Sequence, residues 1–160
     1  MTPGQSRHAV VVGIGNAERG DDGVGLEVTR LVDQLHLADV WVTYFREPAQ
    51  ILDEDLLAAD IVVVVDALSS GAPVGTIAVR EVDDRPLPEW TGAGGTHAVG
   101  LAAVVELARA LGRLPDRLVV VGVEGADYEP GADLSTPVRR AVQEAADTVV
   151  ALVHERPDGG

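Results

Sequence analysis

Ile61-Val62-Val63-Val64-Val65-Asp66 decides the fold. Five consecutive β-branched residues leave no polar face, so this strand is covered on both sides, as strands of a parallel sheet between helical layers are. The run stops at a carboxylate. Ala9-Val10-Val11-Val12-Gly13-Ile14 is a second aliphatic run, closed by Gly13 and Gly15. Leu118 to Val123 is a third, ending at Glu124. Val40 to Phe45, which includes Trp41 and Tyr44, and Thr76 to Val82 read as two further strands.

Helical spacing fills the intervals. Val24, Val28, Leu31, Val32 and Leu35 recur on one face behind Asp21 and Asp22, where acidic residues suit the positive end of a helix dipole. Pro48 opens a short helical stretch through Leu57. Leu101, Val104, Val105, Ala108 and Leu111 mark a helix beginning near Thr96 or His97. Thr136-Pro137 opens the last one, followed by Val138, Val142, Ala145, Val149 and Leu152. Stretches 69–73 and 83–95 read as loops. The order β-α-β-α-β-β-α-β-α predicts an α/β fold: a three-layer sandwich with a mostly parallel central sheet of about five strands and helices on both faces. The 160 residues, 46% of them hydrophobic, suit one domain over 1–160 with its core at about 8–152. Aromatics are only 3%, so Val, Leu, Ile and Ala must build that core.

Composition excludes several chemistries. Twelve basic against 26 acidic residues give a formal charge of −14, unsuited to nucleic acid or anionic lipid. There is no cysteine, hence no disulfide, thiol nucleophile or thiolate metal site. All twelve cations are arginine, which removes Schiff-base chemistry and a Walker-type lysine. The start of the chain is polar and does not read as a signal peptide, and no apolar run approaches the roughly 20 residues of a membrane span. The expectation is a soluble, cytoplasmic protein.

Ligands of such sheets bind beyond the carboxyl ends of the strands, and four stretches meet that edge. Gly13-Ile14-Gly15 begins like a dinucleotide fingerprint, but Glu18 stands where the third glycine belongs, and Asp21 and Asp22 would repel a pyrophosphate. Either aspartate suits the N-cap of the first helix, which leaves the other for chemistry. Asp66 follows five buried aliphatics, where a carboxylate is costly unless hydrogen-bonded, paired or bound to a cation. His97 follows Thr96 at a helix start; it is either a solvated first-turn residue or a neutral imidazole with a lone pair for a metal. Two carboxylates and one imidazole form a ligand set for zinc, nickel or a similar ion with open positions. Glu124 and Asp127 are a second carboxylate pair or part of a turn beside Gly125 and Pro130. His8, His36 and His154 read as surface residues. A serine hydrolase lacks support, since there is no G-x-S-x-G elbow and Ser69-Ser70 sits in a flexible loop.

The stretch Gly13-Ile14-Gly15-Asn16 through Arg19-Gly20-Asp21-Asp22-Gly23-Val24-Gly25 resembles the N-terminal motif of the hydrogenase maturation proteases. Val65-Asp66-Ala67 resembles that family's second motif, and His97-Ala98-Val99-Gly100-Leu101 its third. Val121-Gly122-Val123-Glu124 also fits, and the resemblance runs from about His8 to about Leu152. Many members carry a glycine-rich segment where this chain has Phe45-Arg46-Glu47-Pro48, which resembles a subset of the family.

The resemblance implies an endopeptidase that trims the C-terminal extension of a [NiFe] hydrogenase large-subunit precursor. It places metal binding on Asp22, Asp66 and His97, with Asp22 and Asp66 the catalytic candidates. The nickel belongs to the precursor, not to the protease, with zinc or cadmium as stand-ins in vitro. The chain is then expected to act as a monomer on that one protein partner. The alternative from another class is a non-catalytic nickel-binding or chaperone-like module that recognises the same precursor.

Overall fold

The computed structural model describes residues 8–87 and 100–155. Strands β1 (Ala9–Ile14), β2 (Val40–Phe45), β3 (Ile61–Leu68), β4 (Ile77–Glu81) and β5 (Arg117–Glu124) form one sheet in the order β2-β1-β3-β5-β4. All neighbours are parallel except β4, which pairs antiparallel with β5 at one edge.

Alternation along the strands splits the core in two. Val11, Val63, Val65, Val119 and Val121 pack under α1 (Val24–Asp33) and α4 (Thr136–His154). Val10, Val12, Val62, Val64 and Val120 face α3 (Leu101–Ala110), together with the 3-10 turn Pro48–Leu52 and the short α2 (Glu54–Leu57). Five of the six residues of β1 are fully buried apolar side chains, which is why this strand can sit inside a sheet covered on both faces.

Three local expectations are corrected. β3 does not stop at Asp66 but runs on to Leu68, because β5 keeps pairing with it as far as Leu68 against Glu124. The last helix has Ser135 as its N-cap, one residue before Thr136. Segment 69–71 is held in place: Glu124 accepts hydrogen bonds from Ser70 N, Ser70 Oγ and Gly71 N. The expected start of α3 at Thr96 or His97 lies outside the described residues. Within them, the helix begins at Leu101 behind an extended Gly100.

The topology creates one crevice. From β1 the chain moves outward to β2, then crosses back to place β3 on the other side of β1. Connections leave in opposite directions at the carboxyl ends of β1 and β3, and that switch point is where open α/β sheets receive ligands. α1 is pressed into it. A Cβ on Gly25 would lie 2.5 Å from the Val65 carbonyl oxygen and 2.6 Å from that of Ile14. Only glycine lets the first turn of α1 rest on the backbones of both strands.

Candidate active site

Asp22 lies three residues before Gly25, and Asp66 directly follows Val65, so the contact of Gly25 with Val65 brings both carboxylates to the same crevice. Asp22 belongs to a 3-10 turn, Gly20–Gly23, that packs against β3. It is 3% exposed, and its Oδ2 accepts the Asn16 N–H at 3.0 Å. Gly15, with φ 144°, lets the chain pass the Asp22 carbonyl where any side chain would collide. Asp66 is 7% exposed, and its Oδ1 accepts the N–H of Ala67 at 2.8 Å.

Neither aspartate of the pair caps α1. The N-cap is Gly23, with no side-chain bond. Asp21 turns the other way and accepts four hydrogen bonds: from Ala126 N, Asp127 N, Ser135 N and Ser135 Oγ, at 2.7–3.0 Å. Burial raises its pKa, but these four donors outweigh that and hold the carboxyl below the usual carboxylate range. Main-chain bonds extend the seam, from Asp21 N to Asp127 O, Gly20 N to Ala132 O and Gly131 N to Glu18 O. Asp21 is thus the bolt that fastens the Asp22 turn to the segment after β5.

Glu124 resolves the second carboxylate question. It is the last residue of β5, 3% exposed, and holds segment 69–71, whereas Asp127 folds its own turn by accepting the Glu129 N–H. The two do not act as a pair. His8, expected at the surface, is half-buried instead, with ring contacts to Asp60 and the Val153 carbonyl at the opposite sheet edge.

Tyr128 is the site residue that the sequence did not suggest. Its hydroxyl donates to the Leu68 carbonyl at 2.9 Å. Burial first, then the negative charges of Asp21, Glu124, Asp22 and Asp66, raise its pKa well above the ordinary phenol value. One hydroxyl therefore feels four buried carboxylates, which gathers them at one edge of the sheet. A lone tyrosine in a Gly- and Pro-rich loop carries no periodic pattern that could have announced this.

His97 lies outside the described residues. Among those described, no group of three or more His, Asp or Glu side chains could hold a metal ion, so an ion shell on Asp22 and Asp66 requires another donor. No helix among them is long and apolar enough to cross a membrane.

A profile of the family described as "Hydrogenase maturation protease" matches residues 48–152. The chain is 31% identical over 158 residues to the hydrogenase expression/formation protein HupM of Azotobacter chroococcum, covering 96% of this chain and 75% of that one. Its fold is similar to that of the hydrogenase maturating endopeptidase HybD from E. coli, with a TM-score of 0.76 and 23% identity over 91% of each chain. It is also similar to a hydrogenase 2 maturation peptidase from a Thaumarchaeota archaeon, with a TM-score of 0.67 and 26% identity over 92% of this chain and 98% of that one.

Proposed function

The chain belongs to the hydrogenase maturation protease family, and we propose that it removes the C-terminal extension of a nickel-loaded [NiFe] hydrogenase large-subunit precursor. The observation that carries this reading is that Asp22 and Asp66 both lie at the carboxyl edge beside the switch point, both nearly buried and each accepting a main-chain N–H. Buried carboxylates at a ligand-binding edge are placed to meet a cation.

The family resemblance supports His97 as the third ligand, and α3 is the nearest described element. After α3 the chain needs only residues 111–116 to enter β5 at the opposite end of the sheet, so α3 runs back from the carboxyl edge. Gly100 then starts at that edge, and His97 is three residues before it in the sequence.

In this reading the nickel enters as part of the substrate, bound to the precursor, and Asp22, Asp66 and His97 inspect it. One of the two carboxylates takes the proton from the water that attacks the scissile carbonyl. The protease needs no resident metal, and zinc or cadmium occupies the same three side chains only in vitro.

The test is incubation of wild-type protein with nickel-loaded and nickel-free precursor, followed by mass spectrometry of the precursor's C-terminus. The expected result is loss of the C-terminal extension from the loaded form alone. Equal processing of both forms would overturn nickel inspection, and an unchanged mass in both would overturn the peptidase reading.

A further inference from the structure

β2 is an edge strand, and its outer side has no partner among the described residues. The carbonyls of Asp39 and Phe45 accept from Ala9 N and Gly15 N of the β1 segment, at 3.1 and 3.0 Å. In a parallel pair every second residue points its backbone groups toward the same neighbour. Positions 39, 41, 43 and 45 therefore face β1, and Val40, Val42 and Tyr44 turn their N–H and C=O groups outward. Val40 and Val42 pack on the α1 face, and Tyr44, of the same parity, is 68% exposed.

Beside this edge lies a groove of about 390 Å³ between β2 and α1, with apolar walls from Leu26, Val42 and Tyr44. Arg30 on its rim is paired with Glu27 at 3.1 Å. Asp33, also on the rim, forms no ion pair among the described residues, so Glu27, Arg30 and Asp33 together leave the rim with one net negative charge. Ala17 lines both this groove and a second cavity of about 380 Å³ that passes Gly20 and Gly23, the ends of the turn bearing Asp22. A chain laid along β2 and continued past Phe45 thus arrives beside the candidate active site.

We propose that the outer edge of β2 receives an extended segment of the protein substrate as an added strand, with alternate apolar and basic side chains entering the groove. The proposal rests on the peptidase reading, since a segment to be cut must be presented in extended form near the carboxylates. Main-chain pairing supplies affinity, and the groove supplies selectivity. The net negative charge of the rim, on a chain of formal charge −14, selects the basic side chains.

The test uses the full ¹⁵N-labelled chain and the hydrogenase large-subunit precursor of the same organism. Adding precursor is expected to slow amide hydrogen exchange at Val40, Val42 and Tyr44. Unchanged exchange there overturns the proposal even if the precursor is cleaved. Slowed exchange without cleavage supports docking and instead removes the peptidase reading. Slowing that appears on concentrating the chain alone assigns the edge to self-pairing and also overturns the proposal. In cleavage assays, Tyr44→Pro removes one outward N–H without touching the β1 ladder, and KM is expected to rise about tenfold with kcat little changed. Tyr44→Thr, which keeps that N–H, recovers most of the loss. Equal KM values for the two variants would contradict main-chain pairing.

Discussion

The two ends of the sheet carry charge in opposite ways. At the carboxyl end, Asp21, Asp22, Asp66 and Glu124 are all under 8% exposed and are held by main-chain N–H groups and by serine hydroxyls. At the amino end, charges sit in ordinary ion pairs with solvent around them. Arg117 at the start of β5 bridges Glu81 and Glu155, and His8 touches Asp60. Backbone donors orient a carboxylate without neutralising it, whereas an arginine neutralises it. Among the bonds between described residues, the carboxyl end therefore uses donors that orient its carboxylates, and the amino end uses cations that neutralise them.

The contrast breaks most decisively at Asp66. Asp66→Asn keeps the size and the contact with the Ala67 N–H but removes the charge, so precursor cleavage should fall by about a thousandfold while the circular dichroism spectrum is unchanged. A folded variant that cleaves at the wild-type rate would place Asp66 among the structural acids.

Asp21 should behave in the reverse manner. Asp21→Ala leaves the N–H groups of Ala126, Asp127 and Ser135 without their acceptor and should cost about 3 kcal/mol of stability in urea melts. Its folded pKa is depressed, so its contribution is fully present above the unfolded value near 3.8 and fades as pH falls through the lower folded value. Asp21→Asn should accordingly flatten the acid limb of the wild-type stability curve. An unchanged acid limb would mean that Asp21 is not the group that titrates.

Glu124→Gln keeps one acceptor oxygen for segment 69–71, and the expected loss is smaller, about 1–2 kcal/mol, with faster amide exchange at Ser70 and Gly71. At the amino end, Arg117→Ala should cost about 0.5 kcal/mol, and less in high salt, because its partners are more than half exposed. An Arg117 effect as large as that of Asp21 would erase the distinction between the two ends.

The sequence carried the architecture further than the site. β1 and β2 have the boundaries that their aliphatic runs predict. β3 overruns its prediction because pairing with β5, a tertiary event, extends it past a carboxylate that looks like a terminator in sequence. The antiparallel placement of β4 had no local sign, since strand direction is set by the path of the connecting chain and not by the residues of the strand. Asp22 and Asp66 were legible as polar residues at the ends of apolar segments. Only the family resemblance singled out Asp22 over Asp21; the physical difference between them was not legible, because it depends on Ser135, 114 residues away. The same partner explains why the N-cap of α4 makes no side-chain bond: the Ser135 hydroxyl that would cap the helix is bonded to Asp21 instead.

That long-range bond also sets a timetable. The Asp22 turn leaves the ribosome well before the seam that fixes it is complete, since that seam needs Ala126–Ser135 and the helix behind them. At about 5–20 residues per second, the wait for those 114 residues lasts about 6–23 seconds. Strands β1, β2 and β3 are made earlier, so a nascent chain holds these three beside an unfastened carboxylate loop. A chain truncated before Ser135 should keep that condition permanently.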